Sequence, residues 1–252
     1  MRLGVVLPND AAVELAVAAE AVGIPFVYVA AAPGTESIAA ATVVTSTNTV
    51  RIAVAVELGD ENPVTIAEEI AVLDILSNGR TVVVADVGAL DADAAVEDVA
   101  VLRAAWSGRP LQHRGRRWQV PARLPGHVAP PAVMVTPPPA QLTMPLWVTG
   151  EAAVHVASAL ALPVLAGTPG DIEAAAPIAP GRTALTGDLD TDRATVVAWA
   201  AAGATHLLCE LADTDDLAAL ARWLVPEAGM VAFPRVVADA PLPAPWPGFS
   251  TF

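Results

Sequence analysis

The 252-residue sequence contains no lysine, one cysteine and one tyrosine, and only 16% of its residues are charged. Its 13 basic residues are therefore all arginine, and 27 acidic residues give a formal net charge of −14. Nucleic acid and anionic membrane surfaces are poor partners for such a chain, because like charges repel. The lone Cys209 excludes an intramolecular disulfide and a cysteine-rich zinc site, and no metal site is predicted.

Long apolar runs without a helix breaker are also missing. Residues 124–150 and 152–170 are uncharged over lengths that suit a membrane span, but repeated prolines in the first and Pro163 with Gly167 in the second break any such helix. The apolar run at residues 1–8 is too short for a signal peptide. We therefore expect a cytoplasmic protein, and the 54% apolar content predicts a well-packed globule.

Short β-branched runs alternate with alanine-rich stretches along most of the chain. Strands are predicted at residues 3–7, 26–29, 52–56, 81–85, 146–149, 164–166, 184–186 and 206–210. Helices are predicted at residues 11–22, 36–46, 63–77, 92–106, 152–160, 172–176, 191–202 and 214–224. The alternation favours βα units with a parallel sheet, and the count predicts an α/β fold of the (β/α)8 TIM-barrel type.

Local signals support several of these boundaries. Asn62 before Pro63 is typical of an N-cap followed by a first-turn proline. The sequence Ser-Asn-Gly at residues 77–79 supplies a left-handed residue that ends the same helix. Gly23 and Gly203 each follow an alanine-rich helix and are predicted to play the same part.

Residues 107–145 interrupt the alternation between the fourth helix and the fifth strand. Proline is dense there, and two extended pieces, 117–121 and 132–136, are predicted to pair as a hairpin. This excursion holds the main basic cluster of the sequence: Arg109, Arg114, Arg116, Arg117 and Arg123. We expect one barrel domain over residues 1–240, including the excursion, and a proline-rich tail at residues 241–252.

Several segments resemble the bacterial luciferase-like monooxygenase family. The clearest is Leu-Asp-Ile-Leu-Ser-Asn-Gly-Arg at residues 73–80, which ends a proline-opened helix before the fourth predicted strand. Other matching segments, in the same order along the chain as in the family, lie at residues 18–23, 102–108, 115–118, 139–148 and 202–206. The resemblance covers roughly residues 1–230 and implies a luciferase-like barrel.

The resemblance also implies a chemistry. Members of the family are oxidoreductases that use reduced FMN with oxygen, or the deazaflavin coenzyme F-420 for hydride transfer, at the carboxyl-terminal mouth of the barrel. The lysine-free, alanine-rich composition resembles that of actinobacteria, where deazaflavin members are frequent, and this favours F-420 slightly. A small organic substrate and a homodimer are implied as well.

Residues that follow the predicted strands form the expected mouth. Glu57 and Asp86 are candidates for a general acid–base pair, with solvated carboxylates as the simpler alternative. The candidate cofactor-binding residues follow the predicted strands: Pro8, Gly150, Glu151, Gly167 and Thr168. The turns at Gly150 and at residues 167–170 precede predicted helices and would offer backbone amides to a phosphate, whereas Glu151 would repel it unless it is turned away. Arg114, Arg116 and Arg117 are candidates for binding an anionic substrate or the phosphate tail of the cofactor, unless they only solubilise an exposed hairpin.

Departures from the family pattern leave a second hypothesis open. The loop after the second strand, residues 30–35, lacks the acidic residue and histidine that the family places near the flavin ring. The segment 86–90 runs almost directly into a helix, where the family has a glycine-rich turn and an insertion. With an acidic mouth, these departures favour a degenerate barrel that has lost its cofactor and acts as a partner subunit, binding protein or cofactor-free catalyst.

Overall fold

Strands and helices alternate in the order that a parallel sheet requires. The computed structural model describes residues 1–8, 11–30, 35–122, 128, 130–172, 178–213 and 216–221. The elements within these ranges are β1 (Arg2–Leu7), α1 (Ala12–Ala21), β2 (Phe26–Val29), α2 (Glu36–Ser46), β3 (Arg51–Glu57), α3 (Pro63–Leu76), β4 (Thr81–Asp86), α4 (Ala92–Ala105), β5 (His113–Arg114), β6 (Gln119–Val120), β7 (Leu146–Thr149), α5 (Ala153–Leu160), β8 (Pro180–Ala184), α6 (Leu189–Ala201), β9 (His206–Glu210) and α7 (Asp216–Ala219). No helix in these ranges has both the length and the apolar character of a membrane span.

Seven of the strands form one curled sheet. Their order is β7-β4-β3-β2-β1-β9-β8, with every neighbouring pair parallel. Phe26 on β2 stacks on Trp147 on β7 with ring centres 5.5 Å apart, although β3 and β4 lie between those strands. The face that carries these rings must therefore be concave. The prediction of an α/β fold with a parallel sheet is confirmed.

The two edge strands are linked by the segment 163–166. Val164 forms an isolated parallel bridge with Val148 of β7, and Ala166 forms another with Gly181 of β8. The strand predicted at residues 164–166 is thus reduced to two bridges, because Pro163 and Gly167 bound a segment too short for a ladder.

Two apolar cores follow from the alternation of side chains along each strand. The convex face packs against the helices, where alanine-rich surfaces allow close approach. The concave face is filled by a separate cluster of mainly aromatic and branched side chains: Phe26, Tyr28, Ala53, Val82, Val84, Trp147, Leu165 and Leu208. The carboxyl ends of the parallel strands border this second core, and this end of the sheet is called the mouth below.

The predicted boundaries of α1 to α5 lie within one residue of the observed ones, and those of α6 within two. The Asn62 side chain accepts a hydrogen bond from the Val64 amide at 2.9 Å, with Pro63 in the first turn of α3. The same helix ends in left-handed backbone, with φ of 56° at Asn78 and 76° at Gly79. Both the N-cap and the left-handed stop are confirmed.

Three of the segments that carry the family resemblance, at residues 18–23, 73–80 and 139–148, stabilise the end of the sheet opposite the mouth. The buried Asp74 carboxylate accepts hydrogen bonds from the backbone and side-chain nitrogens of Gln141, at 2.9 and 2.8 Å. Burial raises the pKa of Asp74, and the bonds from Gln141 oppose this rise. Glu20 accepts bonds from the amides of residues 48–50, before β3. These motifs therefore serve the fold rather than the mouth.

Two local predictions are wrong. The strand predicted at residues 184–186 lies at Pro180–Ala184 instead. Gly181 lies directly under the Trp199 ring, where a side chain would overlap the ring, so the strand occupies the segment that α6 can cover. Sequence patterning favoured the β-branched Thr186, but its backbone forms the turn that follows the strand.

The predicted hairpin between residues 117–121 and 132–136 is also wrong. His113 pairs with Val120 and Arg114 with Gln119, while Val133 bridges Leu111. The turn between β5 and β6 closes around the carboxylate of Glu97 on α4. The sequence pattern does not predict this contact between distant residues. Residues 173–176 and 214–215 of two predicted helices, Arg123, and the tail at residues 241–252 lie outside the described residues.

Candidate active site

Glu57 and Asp86 lie side by side at the mouth. They are register partners at the ends of β3 and β4, and alternation from Ala55 and Val84 places both on the concave face. Glu57 is exposed, whereas Asp86 is half-buried. Glu57 also lines a cavity of about 420 Å³ together with other acidic side chains, Glu36, Asp60, Glu61 and Glu69. The structure thus brings the two predicted acid–base candidates together.

A second group of polar side chains crosses the concave face just below the mouth. The Arg182 Nε donates to Glu210 Oε1 at 2.6 Å, which joins the neighbouring strands β8 and β9. The guanidinium carbon of Arg182 also lies 5.3 Å from the ring centre of Tyr28 on β2. Since β9 and β1 separate β8 from β2, this contact spans the curled sheet. Cation–π attraction and a charge-assisted hydrogen bond hold the guanidinium between an aromatic ring and a carboxylate.

Tyr28 is kept neutral in this setting. Its side chain belongs to the concave core and the residue is only 4% exposed. Burial raises the pKa of Tyr28; Arg182 opposes the rise, and the negative charges of Asp86 and Glu210 add to it. The phenol is therefore protonated at neutral pH and is available as a hydrogen-bond donor.

Sequence reasoning missed Tyr28 and Arg182. Because the strand was predicted at residues 184–186, Arg182 fell in the loop before it, at the end of the sheet away from the mouth. Correct placement at Pro180–Ala184 puts Arg182 in the middle of β8. Two-residue alternation from Phe26 would have placed Tyr28 on the same face.

The predicted phosphate turn at Gly150 is closely packed. Gly150 has a φ of +102°, and a Cβ there would overlap the backbone of Gly88. The Asp86 Oδ1 accepts a hydrogen bond from the Gly88 amide at 2.8 Å and lies beside Gly150. Glu151, the next residue, is exposed. Close packing and two carboxylates thus surround the amides that were predicted to hold phosphate.

The other turns at the mouth bond to the chain's own carboxylates. The Thr168 amide and hydroxyl donate to Asp171 Oδ2, at 2.9 and 2.7 Å. After β8, the Thr186 amide and hydroxyl donate to Asp192 at 2.8 and 2.9 Å, and the Gly187 amide adds a bond of 3.1 Å. In α/β barrels this last turn is where phosphate commonly binds. In both turns, a carboxylate of the chain itself, Asp171 or Asp192, accepts the hydrogen bonds that a phosphate would need.

A phosphorylated cofactor does not fit these turns. A phosphate group needs free backbone amides, a helix N-terminus or unpaired basic side chains. Within the part of the chain that the structure describes, the turn amides at Gly88, Thr168, Thr186 and Gly187 already have carboxylate partners. The Arg182 guanidinium is paired with Glu210. Pro8 is exposed at the end of β1 and lines a cavity of about 330 Å³ with Glu210 and Asp213.

Two of the three predicted substrate arginines are bound to α4 and its N-cap. The Arg116 Nη2 donates to both carboxylate oxygens of Asp91, at 2.9 and 2.8 Å. The Arg117 Nε donates to the fully buried Asp98 at 2.9 Å, and its Nη2 donates to the Gly59 carbonyl. Arg114 is exposed on β5. Arg116 and Arg117 therefore attach the excursion to the body of the fold.

Glu97 of α4 anchors the same excursion. Its carboxylate accepts hydrogen bonds from the amides of Arg116, Arg117 and Trp118, at 2.9 to 3.1 Å, and from the His113 ring at 3.1 Å. Although burial alone raises it, these donors lower the pKa of Glu97 to about 2. A side chain at Gly115 would overlap the carboxylate, so the turn can close around Glu97 only with glycine there.

Solved structures with a similar fold include a coenzyme F-420-dependent reductase and two monooxygenases, one of them in complex with FMN. The coenzyme F-420-dependent tetrahydromethanopterin reductase of Methanopyrus kandleri is 13% identical, with a TM-score of 0.68 over 89% of this chain and 98% of that chain. The EDTA monooxygenase of a Chelativorans species gives 14% identity and a TM-score of 0.58 over 80% and 66%. The oxygenating constituent of 3,6-diketocamphane monooxygenase from Pseudomonas putida, solved with FMN, gives 18% and 0.52 over 82% and 64%.

These identities support the fold alone. No curated protein matches the sequence. The model of the luciferase-like monooxygenase family, however, matches residues 4–181, which is well over half of the chain. The protein belongs to the luciferase-like monooxygenase family.

Proposed function

We propose that this family member binds a small, non-phosphorylated organic molecule at its mouth and does so without the phosphorylated cofactor of its relatives. The main support is that the amides of the mouth turns already donate hydrogen bonds to Asp86, Asp171 and Asp192. The proposal takes the sheet as a closed (β/α)8 barrel, with the segment 163–166 as the eighth strand. A homodimer in the cytoplasm, expected from the sequence, belongs to the same proposal.

Charge supports the same conclusion. On the concave face, the described strand ends present the carboxylates of Glu57, Asp86 and Glu210 against the guanidinium of Arg182. A phosphate dianion would meet like charge there, within a chain whose formal net charge is −14. Displacing Asp86 and Asp192 from their turns would leave a half-buried and a buried carboxylate without partners, which costs about 1–3 kcal/mol each.

The second candidate is an oxidoreductase that uses F-420 or FMN on an organic substrate. Family membership favours it, as does the match that covers 98% of the F-420-dependent reductase chain. Under this candidate the flavin-type ring would supply the redox chemistry, and Tyr28 and Arg182 are described groups on the concave face that could contact it. The phosphate tail would need a site other than the described turns.

A cofactor titration separates the two candidates. The purified protein is titrated with FMN, with F-420 and with riboflavin, and binding is followed by ligand fluorescence and by equilibrium dialysis. We expect Kd values above about 100 µM for both phosphorylated cofactors. Binding of either one at a 1:1 ratio in the low micromolar range would overturn the proposal. Riboflavin lacks the phosphate, so tighter binding of riboflavin than of FMN would assign the rejection to the phosphate itself.

A further inference from the structure

We propose that the molecule bound at the mouth is a zwitterion, with a carboxylate at one end and an ammonium group at the other. The inference rests on the proposed function, because it concerns the same mouth. It follows from how the charged side chains are divided between two walls of the curled sheet.

The wall formed by β8 and β9 offers a carboxylate-binding guanidinium. The Arg182 guanidinium lies over the Tyr28 ring on the concave face, and its side chain is 37% exposed, so solvent reaches it. Glu210 engages the Nε atom. A guanidinium has five N–H donors, so a ligand carboxylate can share it with Glu210.

The wall formed by β3 and β4 offers two carboxylates. Glu57 and Asp86 end neighbouring strands in register, on the concave face. Around the sheet, β9, β1 and β2 separate β8 from β3, and the segment 163–166, β7 and β4 separate them the other way. The two carboxylates therefore face Arg182 across the mouth. Paired like charges at this position attract an ammonium group.

Ions of a single sign match this division less well. An anion pairs with Arg182 but faces Glu57 and Asp86 as well as Glu210. A simple cation pairs with the β3–β4 wall but leaves the guanidinium wall unused. A ligand with both charges interacts favourably with both walls, and the length of its linker must match the distance between them.

The test uses free ω-amino acids of increasing length, from glycine through β-alanine and γ-aminobutyrate to 6-aminohexanoate, with acetate and methylammonium as half-ligands. Binding is measured by calorimetry. We expect one length to bind at least about tenfold more tightly than either half-ligand. Arg182→Gln and Asp86→Asn should each weaken that binding by about tenfold or more. Arg109→Gln and Asp93→Asn remove the same charges from exposed positions outside the mouth and should leave it unchanged.

Each other outcome has a defined meaning. Methylammonium or acetate binding as tightly as the best amino acid would overturn the inference in favour of a single-charge site. No binding of any amino acid, in protein that also rejects FMN and F-420, would overturn the zwitterion while leaving the proposed function standing. Thermal melts of the variants check folding, and Arg182→Lys keeps the charge if Arg182→Gln fails to fold.

Discussion

Single carboxylates in this chain collect several backbone amides at once. Glu20 takes the amides of residues 48–50, Glu97 takes those of residues 116–118, and Asp192 takes those of Thr186 and Gly187. With 27 acidic and 13 basic residues, most carboxylates cannot find an ion-pair partner. Backbone N–H groups are the alternative donors, and they stabilise the ionised form of each acid.

This pattern predicts a dependence of stability on pH at the residue scale. The donors around Glu97 lower its pKa from 4.5 to about 2. A folded-state pKa below the unfolded one contributes stability that is complete above about pH 4.5 and is lost as the pH falls toward 2. Glu97→Gln should therefore lower the free energy of unfolding at pH 6 and reduce its loss between pH 5 and about 2. Urea unfolding at a series of pH values measures this.

The buried carboxyl groups of Asp74 and Asp98 change stability with pH in the direction opposite to Glu97, so the experiment needs a control. Burial raises the pKa of Asp74 and of Asp98, so their contribution to stability falls as the pH rises through their titration. Both are present in the parent and in the Glu97→Gln protein, so the contribution of Asp74 cancels in the difference. The charge of Glu97 helps to raise the pKa of Asp98, so the difference measures Glu97 together with its effect on Asp98. Glu68→Gln on the exposed face of α3 should leave the pH profile unchanged. Parallel profiles for the parent and Glu97→Gln would contradict the role of Glu97.

At the scale of elements, Arg80 joins helices to strands at the end opposite the mouth. Its Nη1 donates to the Val50 carbonyl at 2.8 Å, and its Nη2 donates to the carbonyls of Val44 and Thr47 at 3.0 and 2.9 Å. Its Nε donates to Ser77 at 2.7 Å. A planar, forked cation thus satisfies the end of α2, the start of β3 and the end of α3 together.

Replacing Arg80 with lysine should therefore be costly although the charge is kept. The ammonium group cannot reach acceptors on three sides, and unsatisfied carbonyls remain in a half-buried place. We expect Arg80→Lys to lower the free energy of unfolding by about 1–3 kcal/mol. Arg103→Lys is the matched control, because Arg103 makes a single bond, to the Leu160 carbonyl at 2.9 Å. Equal effects of the two changes would refute this reading of Arg80.

At the scale of the whole molecule, the sheet is weakest where its two edges meet. The segment 163–166 forms two backbone hydrogen bonds with Val148 of β7 and two with Pro180 and Arg182 of β8. By comparison, the single strand pair β3–β4 extends over six register positions. Fewer bonds and a short segment make local opening easier.

Hydrogen exchange tests where the sheet opens. We expect the amides of Leu165 and Ala166 to exchange at least about tenfold faster than those in the middle of β3 and β4. The middle of β1 and β2 serves as an internal reference, because both strands have two partners. Uniform protection around the sheet would show that closure is as stable as the rest.

Prediction from the sequence succeeded for elements whose position depends on residues close together in the chain. The strands at 26–29, 146–149 and 206–210 and the helix at 36–46 have the predicted bounds. Each is a short apolar or alanine-rich run, which is a signal within the segment itself. Prediction failed at β8 and at the β5–β6 hairpin. Both depend on distant partners: Trp199 of α6 covers Gly181, and Glu97 of α4 holds the hairpin turn.

By itself the sequence determined the α/β alternation, the helix caps, the acidity and the adjacent carboxylates Glu57 and Asp86, because these follow from local pattern and composition. Only the tertiary structure decided what the mouth offers a ligand. Curling of the sheet brings Arg182 onto Tyr28 from strands far apart in order, and folding of the turns gives their amides to the chain's own aspartates. These contacts depend on three-dimensional distance and side-chain direction, which spacing along the chain does not encode.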